Sequence, residues 1–76
     1  MEERTERETQ KRAILHYLRE HEGITQADAT EEIGCQRLPA RICDLRGDGH
    51  KIINVWRKSR NRYGRRVRFV EYRLVE

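Results

Sequence analysis

The apolar residues of this 76-residue chain change their period once, and the change falls at a pair of glycines, Gly47 and Gly49. Ahead of that point hydrophobic side chains recur every three or four residues; beyond it they recur every second residue. The first spacing gathers side chains on one face of an α-helix, the second on one face of a β-strand. Helices must therefore come first and strands second, and both must commit their apolar faces to a common core. The supply is small. With 36% of residues hydrophobic and 39% charged, there is material for one domain with one core.

Within the helical part, Ile14, Leu15 and Leu18 share a face with Tyr17 at its margin, which predicts a helix over 6–21 ended by Gly23. Thr5 followed by Glu8 has the spacing of a capping box at its start. Thr25-Gln26-Ala27-Asp28 repeats that pattern, Ala29 and Ile33 stand four apart, and Gly34 supplies a residue free to take positive φ. A second, short helix is expected over 26–33. In the third, over 37–47, Leu38, Ile42 and Leu45 form the buried stripe, while Arg37, Arg41 and Asp44 repeat the spacing one residue earlier on an outward face. Pro39 suits its first turn, where a missing N–H has no intrahelical partner to lose.

Ile53 and Val55 alternate with Asn54 and Trp56 and predict a strand over 51–57. The run RKSRNRYGRR is polar and basic with a central Gly64, and reads as a flexible hairpin tip. The return strand, VRFVEYRLV, puts Val70, Tyr72 and Leu74 on one face and Val67 and Phe69 on the other. Two strands of this length need an apolar layer to pack on, which helices 1 and 3 supply. Tyr72 is expected in the core. Trp56 is expected there too, with stacking on the surrounding arginines as the alternative. The sum is an α+β fold, a three-helix core followed by a two-stranded β-hairpin wing, in the manner of a winged helix-turn-helix. A polar arm, 1–8, would precede a domain over 9–76.

Charge points to the partner. The net +4 hides an asymmetry: residues 1–34 carry five basic and nine acidic side chains, residues 51–76 nine and two. Between Lys51 and Arg68 there are eight Lys/Arg and no Asp or Glu. Like charges so crowded gain nothing from folding and favour a polyanion partner. No stretch approaches the roughly 18 apolar residues that span a bilayer, and the start MEERTERETQKR is unlike a secretory signal, so a soluble, cytoplasmic protein is expected. Cys35 and Cys43 are too few for a disulfide framework, and His16, His21 and His50 are scattered. Reduced thiols are expected, with Cys43 partly packed, and neither metal nor cofactor. Without a Ser/His/Asp or Cys/His constellation or a glycine-rich phosphate loop after a strand, no enzyme is expected.

The segment Gly34-Cys35-Gln36-Arg37-Leu38-Pro39-Ala40-Arg41-Ile42, followed by Asp44-Leu45-Arg46 and Gly49-His50-Lys51-Ile52, resembles the helix-turn-helix domain of many small phage and prophage proteins. Tyr72-Arg73-Leu74 is similar to the final strand of that family. The resemblance covers residues 10–75; Thr30, where an apolar residue is usual, and Pro39, in place of a small helix former, depart from it. It implies DNA binding. An arginine is retained at the Arg41 position of the family pattern, which suits a scaffold as readily as recognition.

On this reading double-stranded DNA is the partner, and helix 3 enters the major groove. Arg37 and Arg41 would present planar forks to guanine O6 and N7, and Gln36 would address adenine or a phosphate. The competing reading folds Arg41 back on an acidic neighbour, with Asp44 orienting Arg41 or Arg37 and Arg46 left as a surface residue at the helix end. Lys58, Arg60, Arg62, Arg65 and Arg66 on the wing suit phosphates or the minor groove. Tyr63, beside Gly64, would bond a phosphate or stand exposed without a role. A transcription regulator or an excisionase-like architectural factor fits equally, and a homodimer on a two-fold site would raise specificity. The alternative class is a phage-encoded protein-binding inhibitor that offers the same basic face to a host nucleic-acid enzyme. RNA ranks third, because the fold lacks stacked aromatics on an open sheet.

Overall fold

Each helix is held by a device at its end as much as by its apolar face. In a computed structural model, which describes residues 6–76, α1 (Glu6–Glu20) buries Ile14 and Leu18 and packs Leu15 and Tyr17 at the margin. Thr5 of the expected capping box lies outside the described residues. Gly23, after α1, is buried in the crossing to the sheet: a Cβ there would stand 2.6 Å from Glu71 Cγ and 2.9 Å from the Tyr72 carbonyl oxygen. That close approach lets Ile24–Thr25 pair with Tyr72 and Glu71 as a short strand, β1. Two residues carry no readable period, and β1 was not expected from the sequence. The sheet is thus three-stranded rather than a bare hairpin.

Thr25 closes the expected capping box: its hydroxyl accepts from the Asp28 N–H (3.2 Å), and the Asp28 carboxylate accepts from the Thr25 N–H (3.1 Å). Helix α2 (Gln26–Asp28) runs on as a π-helical turn (Ala29–Ile33). Gly34 ends it at φ 79°, and the N–H groups of both Gly34 and Cys35 reach the Ala29 carbonyl. This widened exit turns Cys35 inward, so it is sealed in the core while Cys43, on the outer side of the next helix, is exposed. The packing expected of Cys43 belongs to Cys35; both thiols are free. Gln26 then staples the turn, donating to Cys35 O (2.8 Å) and Thr30 Oγ1 (3.1 Å) and accepting from the Leu38 N–H (3.1 Å).

Helix α3 (Leu38–Gly47) has Arg37 as its N-cap and Pro39 in its first turn, and it buries Leu38, Ile42 and Leu45 as expected. Each such side chain contributes about 1.5–3 kcal/mol by leaving water. Arg46 is not a loose surface charge. Its guanidinium donates twice to Ile52 O (3.0 and 2.8 Å) and once to Asn54 Oδ1 (2.6 Å), tying the helix end to the outer edge of the sheet. Beyond it, His50 Nδ1 meets Glu76 Oε1 at 2.7 Å and fastens the C-terminus, and this hydrogen bond holds the Glu76 carboxyl below its ordinary value.

Strands β2 (Ile52–Arg60) and β3 (Arg66–Leu74) pair antiparallel from Ile52↔Leu74 to Arg60↔Arg66, giving the order β1-β3-β2. Strand β2 outruns the expectation, and β3 begins one residue early at the same length: Lys58, Arg60 and Arg66, assigned to a flexible tip, are strand residues. A ribbon wetted on both faces shows no hydrophobic alternation, so its sequence reads as loop. Tyr72 and Ile52 face the core, whereas Ile53 is 46% exposed on the far side with Phe69 and Val67. The ribbon projects past the helices and stretches the molecule to 50 × 24 × 20 Å.

Candidate nucleic-acid interface

Sheet register decides which way each wing residue points. Directly opposed residues of an antiparallel pair share a face, and successive residues alternate. Buried Tyr72 marks the core side, so its face runs outward through Asn54↔Tyr72 and Trp56↔Val70 to Lys58↔Arg68 and Arg60↔Arg66. Four cations thus crowd one side of the ribbon as two directly opposed like-charge pairs, an arrangement unfavourable in a sheet. The other side at the same level carries Arg57↔Phe69 and Ser59↔Val67.

Trp56 shares the cationic side. It lies on the core face but beyond the helices that would cover it, so it is 61% exposed instead of packed as expected. The Arg68 guanidinium sits 5.3 Å from its ring centroid, a cation–π contact. Asn61 organises the tip. Its side chain accepts from the N–H groups of Tyr63 (2.9 Å) and Arg65 (3.1 Å), and its backbone bonds Gly64 and Arg65. Gly64 takes φ 76°, as a turn of this shape requires of the residue leading back into the strand. Arg62 and Tyr63 are exposed at the apex, Tyr63 at 81%.

At the other end of the surface, Gln36 and Arg37 stand exposed at the start of α3. Arg37 has no acidic partner among the described residues. Arg41, one turn on, is different: its side chain is 18% exposed, with Nε 3.3 Å from Asp44 Oδ2. Asp44 in turn receives the fork of Arg7 from α1, with Nε at 2.9 Å from Oδ2 and Nη2 on Oδ1. Those hydrogen bonds hold the Asp44 carboxyl below its ordinary value of 3.8, against the opposing effect of desolvation. One turn further, Lys11 pairs with Asp48.

Arg7, Lys11, Arg41, Arg57 and Arg73 meet carboxylates, some across elements (Arg7–Asp44, Lys11–Asp48, Arg57–Glu71) and some within one (Arg41–Asp44, Arg73–Glu71). Among the described residues Arg37, Lys58, Arg60, Arg62, Arg65, Arg66 and Arg68 meet none; of the remaining cations, Arg46 is tied to Ile52 O and Asn54 Oδ1, and Arg12, Arg19 and Lys51 stand singly elsewhere without a carboxylate. Trp56 takes the alternative offered for it, stacking with an arginine. Arg68 belongs to the counted basic run without a place in the expected interface, and the signal that pairs the two is register, which spacing along one strand does not contain. Among the described residues no group of three His, Cys, Asp or Glu is placed to hold a metal, and no helix is long and apolar enough to cross a membrane.

Three helices, a tight turn stapled between the second and third, and a cationic ribbon after the third make up a small winged helix-turn-helix domain, a class that suggests DNA binding. A model of the winged helix-turn-helix domain matches residues 9–76, and the chain belongs to that family. No curated protein and no solved structure matches it.

Proposed function

We propose that this protein binds duplex DNA sequence-specifically, with the start of α3 in the major groove and the wing on the backbone or in the minor groove. The observation that carries the reading is the segregation of charge. Five cations of the scaffold lie against Asp or Glu, while the α3 tip and the wing gather seven with no carboxylate among the described residues, at the cost of like-charge pairs across β2 and β3. Such an arrangement is compensated when phosphates replace the missing carboxylates. Arg37 is the base reader, with Gln36 beside it. Arg41 lies behind them, held by Asp44. Lys58, Arg60, Arg66 and Arg68 track the backbone from one side of the ribbon, and Arg62, Tyr63 and Arg65 form its leading edge.

The role that accompanies this chemistry is that of a small transcription regulator or an excisionase-like architectural factor, as the phage-type α3 motif suggests, working in the cytoplasm where DNA is accessible. One domain reads few base pairs, so pairing on a two-fold site is the natural route to higher specificity. Titration with random duplex at low salt tests the core of the reading. Micromolar or tighter binding that weakens as salt is added supports it. No binding at any salt would overturn it and favour a protein partner for the same basic face.

A further inference from the structure

A cleft of about 490 Å³ opens between the first turns of α1 and the tip of α3, lined by Arg7, Gln10, Gly34, Gln36, Arg37 and Arg41. Three of these carry guanidinium groups, contributed by α1, by the turn before α3 and by α3 itself, and none carries a carboxylate. Asp44 is the acidic partner of Arg7 and Arg41, and Arg7 alone occupies both of its oxygens. Among the described residues, one negative charge against three positive leaves the cleft with an excess of two. Arg41 Nε is buried and has no hydrogen-bond acceptor in range and geometry. Gly34, at the rim, has nothing within 4 Å of where a Cβ would stand, so the mouth is open.

We propose that this cleft is a phosphate site, separate from the base-reading tip and the wing, that takes one phosphodiester of the duplex beside the groove α3 enters. A phosphate presents several acceptor oxygens to forked donors, and guanidinium groups match it with parallel hydrogen bonds. Arg7 and Arg41 are the contacts. Asp44 is a positioning residue that pins Arg7 to the cleft wall and holds Arg41 by its Nε end. Helix α1 thereby joins the DNA interface, which nothing in its acidic composition announces. The proposal rests on the duplex-binding reading above and deepens it.

Two measurements on the full chain test it. In the first, inorganic phosphate alone is titrated while the arginine Nε–H signals are followed by NMR; shifts are expected at Arg7 and Arg41 and should be lost in Gln10→Glu, which adds a carboxylate to the cleft without removing the Arg7–Asp44 pair. In the second, duplex affinity is measured against salt for wild type, Arg7→Gln, Gln10→Glu and, on the wing, Lys58→Ala. Both cleft variants should weaken binding and flatten the log–log slope by about 0.9, one phosphate contact, with the selected DNA sequence unchanged. If Lys58→Ala flattens the slope and neither cleft variant does, the cleft proposal fails and duplex binding stands. Phosphate shifts with an unaltered duplex slope would assign a free-anion site and overturn the backbone contact. Absence of salt-dependent duplex binding by wild type would overturn both readings together.

Discussion

Arg37 and Arg41 stand four residues apart near the start of one helix and meet different surroundings. Arg37 is exposed and without a carboxylate, whereas Arg41 is mostly covered and lies against Asp44. A base-reading Arg37 predicts that Arg37→Ala relaxes preference at one base pair, by about 1–3 kcal/mol of discrimination; selection from random duplexes with both proteins measures it, and an unchanged preference would refute the assignment. Asp44 predicts a pH effect. Its carboxyl is depressed in the folded state by Arg7, so its contribution is present at neutral pH and is lost as pH falls below 3.8 toward the folded value. Melting temperatures followed down through the carboxylate range should decline less steeply for Asp44→Asn, starting lower than wild type and converging with it in acid. At Gly23 the constraint is steric: a methyl group would collide with the Tyr72 carbonyl. Gly23→Ala should cost about 1–3 kcal/mol in denaturant unfolding, the usual range for overpacking.

At the scale of elements, the wing sets stability against binding. Its cross-strand cations repel one another in the free protein, so Arg66→Glu, which places a carboxylate opposite Arg60, should stabilise the fold by about 0.2–1 kcal/mol and weaken duplex binding. Thermal melts and DNA titrations on the one variant should thus move in opposite directions. Ser59→Glu is the matching control, because Ser59 faces the side with Val67 and Phe69 rather than the cationic side; it should weaken binding much less than Arg66→Glu. Equal losses from the two would mean that the ribbon lacks a preferred side. The turn between α2 and α3 is the other functional element. Gln26 satisfies a carbonyl and an N–H on the two sides of that turn, and so fixes how the tip of α3 is presented.

At the scale of the whole molecule, the elongated shape spreads the uncompensated charge from the α3 tip to the end of the wing. About five neutralised phosphates would give a slope of log K against log salt near −4 to −5, from roughly −0.9 per contact. A slope near zero, measured over a range of moderate salt, would exclude DNA as the partner. What was legible in the sequence was local. The stripes of α1 and α3, the Thr25–Asp28 capping box and the Gly34 stop each depend on residues within about one or two helical turns, so spacing alone exposes them, and the two faces of β3 follow from alternation in the same way. The structure decided what depends on distant segments. Strand β1 exists only because Gly23 lets Ile24 and Thr25 reach β3. Cys35 is buried by the path the chain takes after Gly34, and Trp56 is exposed because the helical layer stops short of it. The partition of arginines into scaffold and free sets turns on pairs such as Arg7 and Asp44, 37 residues apart. Periodicity reports which face a side chain takes on its own element; only packing brings a second element to that face or leaves it to solvent and DNA.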